Sequence, residues 1–196
     1  MIGAGELLKK QMELLMNEQV DLALLDVEKA YAEKHGLLLN RTVQDLGYLH
    51  VNVIERCDKL SEELLAEESQ SFLERAVQYL REHANEFMYV ASDRLAVIRV
   101  DSFALEFDEA FGVYSALFGL RLQKKQGELL HTYLITHLQH ENMTYSAAFS
   151  GQDGLWEINL ALNALDEFSE QQSFAEVLVC LYRFIFGLLE ELEETV

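Results

Sequence analysis

Between Met143 and Leu162 the chain alternates in a way only a β-hairpin satisfies. Met143, Tyr145, Ala147 and Phe149 interleave with Thr144, Ser146, Ala148 and Ser150. Gly151-Gln152-Asp153-Gly154 follows, and Trp156, Ile158, Leu160 and Leu162 then interleave with Glu157, Asn159 and Asn163. Side chains on a strand point to opposite faces in turn, and a short Gly/Asp-rich segment between two such runs returns the chain antiparallel to itself. A hairpin cannot bury its apolar face alone, so an antiparallel sheet with helices against one face is required.

Other segments repeat at helical spacing. Leu8, Met12, Leu15, Val20, Leu24, Val27 and Tyr31 predict one helix from Glu6 to about Lys34, stopped by Gly36. Thr42 and Asp45 resemble a capping box, and Val43, Leu46, Leu49, Val53, Cys57, Leu60 and Leu64 predict a second. A third is expected near Ser71 to Asn85. Phe87–Ala91 and Leu95–Val100 read as strands joined at Ser92-Asp93-Arg94. Phe103, Phe107, Phe111, Tyr114 and Phe118 return to helical spacing, which favours a packed core over a ligand pocket. Residues 119–135 fit either state, with a helix from Glu128 preferred, and Ser173 caps a long apolar helix whose acidic end opposes the helix dipole and should fray.

The expected fold is therefore α+β. An N-terminal helical pair precedes two helix-hairpin-helix units that form an antiparallel sheet packed against helices. The units span about 71–118 and 128–192, and Leu80 to Asn85 loosely echoes Leu138 to Asn142. This divides the chain into a helical hairpin, 1–68, and an α+β part, 69–196, in one compact unit. With no proline, where average usage would give about ten, no linker marks a firmer boundary.

Acids outnumber bases 34 to 15, for a formal charge of −19 spread over the whole chain. Such a field repels phosphate backbones and anionic lipid, so neither nucleic acid nor membrane is expected as a partner, and a basic protein suits it better. Cys57 and Cys180, far apart and each in apolar surroundings, predict buried reduced thiols and neither a disulfide nor a metal knuckle. With no basic-then-apolar leader and no apolar run long enough to span a bilayer, the expected location is cytoplasmic. The long first helix and the apolar last one exceed what one small core covers, which motivates a homodimer.

Motifs for phosphate loops, zinc proteases and nucleophile elbows are missing, so no catalytic residue and no cofactor are assigned. One cluster has the residue types for a metal: Glu128, His131, His137, His140 and Glu141. Glu128 and His131 share a helix face at the spacing of carboxylate-bridged di-metal bundles, as do His137 and Glu141. A di-metal site needs a second Glu-x-x-His pair, and His35, His50 and His83 follow Ala32, Gly47 and Leu80 instead. Surface or half-buried histidines are the expected reading.

The helix ending Leu-Gln-His-Glu-Asn-Met, then Tyr145, a Gly-containing turn and Leu155-Trp156-Glu157-Ile158, resembles the opening of bacterial secretion-chaperone-like and YbjN-like domains across residues 134–162. The resemblance implies a small, acidic, often dimeric protein that works by binding other proteins. It departs from that pattern by entering a helix where a third strand would follow, and by its extra N-terminal helices. The expectation is a non-enzymatic adaptor or chaperone-like module, with Tyr145, Trp156 and Ile158 as candidate partner contacts. The alternative is a small-molecule or metal-binding enzyme using the helix around His131–Glu141.

Overall fold

The computed structural model describes residues 7–18, 21–39, 41–138 and 145–195. The alternating run folds as the sequence requires: β8 (Tyr145–Ser150) and β9 (Leu155–Ala161) pair antiparallel from Tyr145↔Leu160 to Ser150↔Leu155. Gly154, at φ +68°, closes the turn in the left-handed region. They complete a seven-stranded antiparallel sheet in the order β4-β3-β5-β6-β7-β9-β8, where β3 is Val53–Asp58, β4 Leu64–Glu67, β5 Glu86–Ala91, β6 Ser102–Asp108 and β7 Val113–Leu120. Antiparallel sheet and packed helices together confirm the α+β class.

Helix α5 (Phe174–Glu194) organises the core. Ser173 and Glu176 form the capping box at its start, the Glu176 amide donating to the Ser173 hydroxyl at 3.3 Å while the Ser173 amide donates to the Glu176 carboxylate at 2.8 Å. Twelve of its 21 residues are buried, too many for one stripe, so α5 is enclosed rather than laid on a surface. It shares one apolar core with the inward sheet rows, among them Ile54, Val90, Phe103, Phe118 and Ile158, and with α1 (Leu7–Glu18), α2 (Asp26–Lys34) and α4 (Gly127–His137). The acidic end stays helical through Glu194. Glu193 accepts from the amides of Leu8 and Lys9 at the start of α1, and Glu194 from Lys34 Nζ at 2.6 Å, so neighbouring donors offset the dipole that predicted fraying.

The expected first helix is broken. α1 ends at Glu18, and β1 (Ala23–Leu24) pairs in parallel with β2 (Gln44–Asp45) before α2 begins. The second expected helix does not exist: β2, β3 and β4 occupy its range. Gly47 takes φ +65°, which ends any helix there, and Ile54, outside the helical stripe, is a buried core residue. Residues 1–68 are thus no helical hairpin. β3 and β4 belong to the same sheet as β5, hydrogen-bonded across the expected boundary.

Between residues 71 and 118 the structure replaces helix-hairpin-helix by a three-stranded meander. Only Gln70–Glu74 (3-10) and α3 (Tyr79–Glu82) are helical near the third expected helix. Between them the chain is pulled against the approach to α5, the Val77 amide donating to the Gln172 carbonyl at 2.8 Å and the Phe174 amide to that of Arg75 at 3.0 Å. Asp93–Ile98 is a 3-10 segment rather than a strand. Leu95, Val97, Ile98 and Val100 are all buried, which an alternating strand with one open face could not achieve. β5 therefore pairs with β6, and β6 with β7, through a turn that ends at Gly112 (φ +66°). α4 begins at Gly127, beside the expected Glu128.

Candidate functional site

The histidine-bearing helix α4 lies against the β8–β9 hairpin at one end of the sheet. His131 Nδ1 is 3.3 Å from Tyr145 Oη, and its ring meets Trp156 edge-on at 5.7 Å between centroids. His137 stacks on Tyr133, its Nδ1 lies 3.1 Å from the Tyr133 carbonyl, and its Nε2 lies 3.1 Å from Glu191 Oε1 on α5. Glu128 is exposed on the first turn. Among the described residues no three His, Cys, Asp or Glu side chains converge where a metal could bind. Glu141 and His140 lie outside the described residues. The two placed histidines are tied to different partners, His131 to the hairpin and His137 to α5.

Two of the expected partner contacts are core residues. Trp156 and Ile158 keep 7% and 3% of their surface exposed, because they sit on the inward row of β9. Trp156 packs under α4 so closely that a Cβ on Gly127 would stand 2.5 Å from its ring, and among the described residues its indole Nε1 has no hydrogen-bond partner. Phe149, 5.4 Å away and edge-on, completes an aromatic surround with His131. Only Tyr145 is half-exposed, at the hairpin edge. Alternation shows that Trp156 and Ile158 share a face but not which face is covered.

The opposite sheet face is the one that stays open. Pairing registers align Glu67, Glu55, Tyr89, Ala104, Leu117, Asn159 and Ser146 in one outward row from edge to edge. A second row holds Cys57, Phe87, Glu106, Ser115 and Ala161, and in it Cys57 and Ser115 are buried. Phe87, Tyr89 and Leu117 are half-buried, while Val90, Phe103 and Phe118 on the inward side are buried beneath helices.

Charge on this face has one sign. Glu55, Glu67, Glu106, Asp108 and Glu157 point outward, and no outward strand position carries Lys, Arg or His. Lys59, just beyond β3, reaches Glu106 at 3.5 Å and donates to the Phe107 carbonyl at 2.5 Å, at one end of the sheet. The face can therefore offer apolar area and carboxylates together. Sequence periodicity assigned Phe103 and Phe107 to a helix and so missed this face; the alternation of Phe87 with Met88, and of Leu117 with Phe118, was the signal available.

Fold and face together define an α+β protein with one helix-covered and one open, acidic sheet face. Comparison with known proteins finds no matching family model, no matching curated protein and no matching solved structure. Among the described residues no helix is long and apolar enough to cross a membrane.

Proposed function

We propose that this chain is a non-enzymatic interaction module, adaptor or chaperone-like, whose open sheet face receives a basic and apolar surface of a protein partner. One observation carries the reading: half-buried Phe87, Tyr89 and Leu117 share their face with Glu55, Glu67, Glu106, Asp108 and Glu157, and no strand position on that face is basic, Lys59 meeting Glu106 only at one end. An apolar contact gives binding area, and a predominantly acidic rim steers and selects a cationic partner while disfavouring nucleic acid or anionic lipid. The free thiols of Cys57 and Cys180, both buried, suit a reducing compartment such as the cytoplasm. The hairpin β8–β9 after α4 is compatible with the secretion-chaperone-like resemblance, in which partner binding is the activity.

A fluorescent peptide of alternating Lys and Leu tests this directly. It should bind the native protein, and changing both Tyr89 and Leu117 to Ser should weaken binding about tenfold, the scale of two truncated apolar contacts. A Lys/Ser peptide of equal charge should bind far more weakly than the Lys/Leu one. Equal affinity of the two peptides, or an unchanged affinity in the double variant, would show charge attraction alone and remove the face from the argument.

A further inference from the structure

The two edges of the sheet are built differently, and only one carries the features that keep strands from pairing with other chains. Edge strand β4 is short, its register against β3 shifts between Arg56 and Cys57, it ends in Glu67, and Glu62, Glu63 and Glu68 flank it. Irregularity, brevity and charge are the devices by which edges stay single. Within its own span edge strand β8 has none of them. Its six residues, Tyr-Ser-Ala-Ala-Phe-Ser, include no charge, glycine or proline, and its pairing with β9 runs without a bulge.

We propose that β8 is the seam of a homodimer, in which the β8 strands of two copies pair antiparallel about a two-fold axis at Ala147 and join their sheets into one. The strand is self-complementary in that register. A two-fold axis normal to the sheet keeps faces matched, so Ala147 meets Ala147, Ser146 meets Ala148, and Tyr145 meets Phe149 twice. Ser146 and Ala148 are exposed on the open face, whereas Tyr145 and Phe149 are half-buried on the inward side, where the aromatic pairs would be buried further.

Charge explains why this seam rather than another. At a formal −19, two copies repel at most approaches. β8 is neutral, and Lys124 sits over the Phe149 ring at 5.9 Å, placing a cation at that end of the strand. Ile135 on α4 is 70% exposed and lies one turn beyond His131, whose ring touches Tyr145, so apolar surface continues from the strand onto the helix above it. The seam leaves the acidic open face uncovered and stands whether or not that face binds a basic partner.

Light scattering coupled to size exclusion decides the matter. The native chain should elute at twice its 22.5 kDa, and changing Ser146 and Ala148 together to Glu, which sets carboxylates opposite one another across the axis, should return it to 22.5 kDa with unchanged circular dichroism. A native monomer at micromolar concentration, or a dimer that persists in the folded double variant, would overturn the proposal. Should that variant not fold, Ala147→Cys and Ser150→Cys answer instead. Under mild oxidation the first should form a covalent dimer and the second should not, and the reverse pattern, or no cross-link in either, would overturn it.

Discussion

Arg94 and Glu28, 66 residues apart, form an ion pair inside the protein, with Arg94 Nε 2.8 Å from Glu28 Oε1 and Arg94 Nη2 donating to Oε2. Glu28 has no exposed surface. Its Oε1 also accepts from Tyr182 Oη at 2.5 Å and its Oε2 from the Leu25 amide at 2.8 Å, while Arg94 Nη2 donates to the Ala23 carbonyl at 3.0 Å. A buried carboxylate persists only when so many donors replace its water. Burial, and then Glu28, push the Tyr182 phenol well above its ordinary value, so that hydroxyl remains a donor. The network pins α2 and the Asp93–Ile98 segment to the central helix.

Removing one partner of this pair should cost far more than removing both. Glu28→Leu leaves the Arg94 guanidinium buried and uncompensated, and Arg94→Met does the same to the Glu28 carboxylate, each for a loss of about 3–5 kcal/mol. A Glu28→Leu, Arg94→Met double variant should be markedly more stable than either single variant. Urea denaturation of the four proteins measures the coupling, and additive losses would contradict it.

Glu193 should control the attachment of α1. Its Oε1 accepts from the Leu8 amide at 2.6 Å and the Lys9 amide at 3.2 Å, and its Oε2 from Tyr31 Oη at 2.6 Å. Glu193→Ala should cost about 1–2 kcal/mol, the scale of a lost helix cap. Hydrogen exchange should quicken in α1 and leave β5–β7 protected.

Gly127→Ala tests packing at the α4–hairpin contact. The new methyl would meet Cζ2 and Cη2 of Trp156 at 2.5 Å, so ring or helix must move, at about 1–3 kcal/mol for overpacking. Trp156 is the sole tryptophan, and its emission should shift.

Neither thiol should react readily with a disulfide reagent in the folded protein. Burial raises Cys180 to about 11, and burial also raises Cys57. Thiolate is the reactive form. Labelling at pH 8 should therefore be slow, and should become rapid once denaturant exposes the thiols.

Acid should weaken the fold through capped carboxylates. Hydrogen bonds from Ser173 lower Glu176 below its ordinary 4.5, Lys34 lowers Glu194, and the Ser61 and Leu60 donors lower Asp58 below 3.8. A carboxyl depressed in the folded state stabilises above its unfolded value, and that contribution is lost as pH falls through the folded one. Melting temperature should thus decline below about pH 4.5. In Glu176→Gln it should start lower at neutral pH and decline less steeply.

The sequence pattern hides the open sheet face for a specific reason. Residues four apart lie on one side of a helix and also on one side of a strand, so Phe103, Phe107 and Phe111 fit both periods. Leu105, Ala116 and Leu120, all buried, break the tie toward strand, and Gly112 supplies the hairpin turn. Similarly, Val53 and Cys57 fit a helical stripe until Ile54 is counted.

By itself the sequence determined the β8–β9 hairpin, the capped helix α5, the start of α4, the α+β class and the acidic surface. Each depends on neighbours within one element: strict alternation, a Ser-x-x-Glu cap, a run of apolar residues, a sum of charges. Tertiary structure decided the rest. Whether an apolar run becomes strand, 3-10 segment or helix between residues 42 and 118 depends on which backbone groups lie alongside. Val77 is held by Gln172, and Arg75 by Phe174. Which face of the sheet is covered depends on where the enclosed helix α5 comes to rest, because alternation sorts residues into two faces without saying which one meets water.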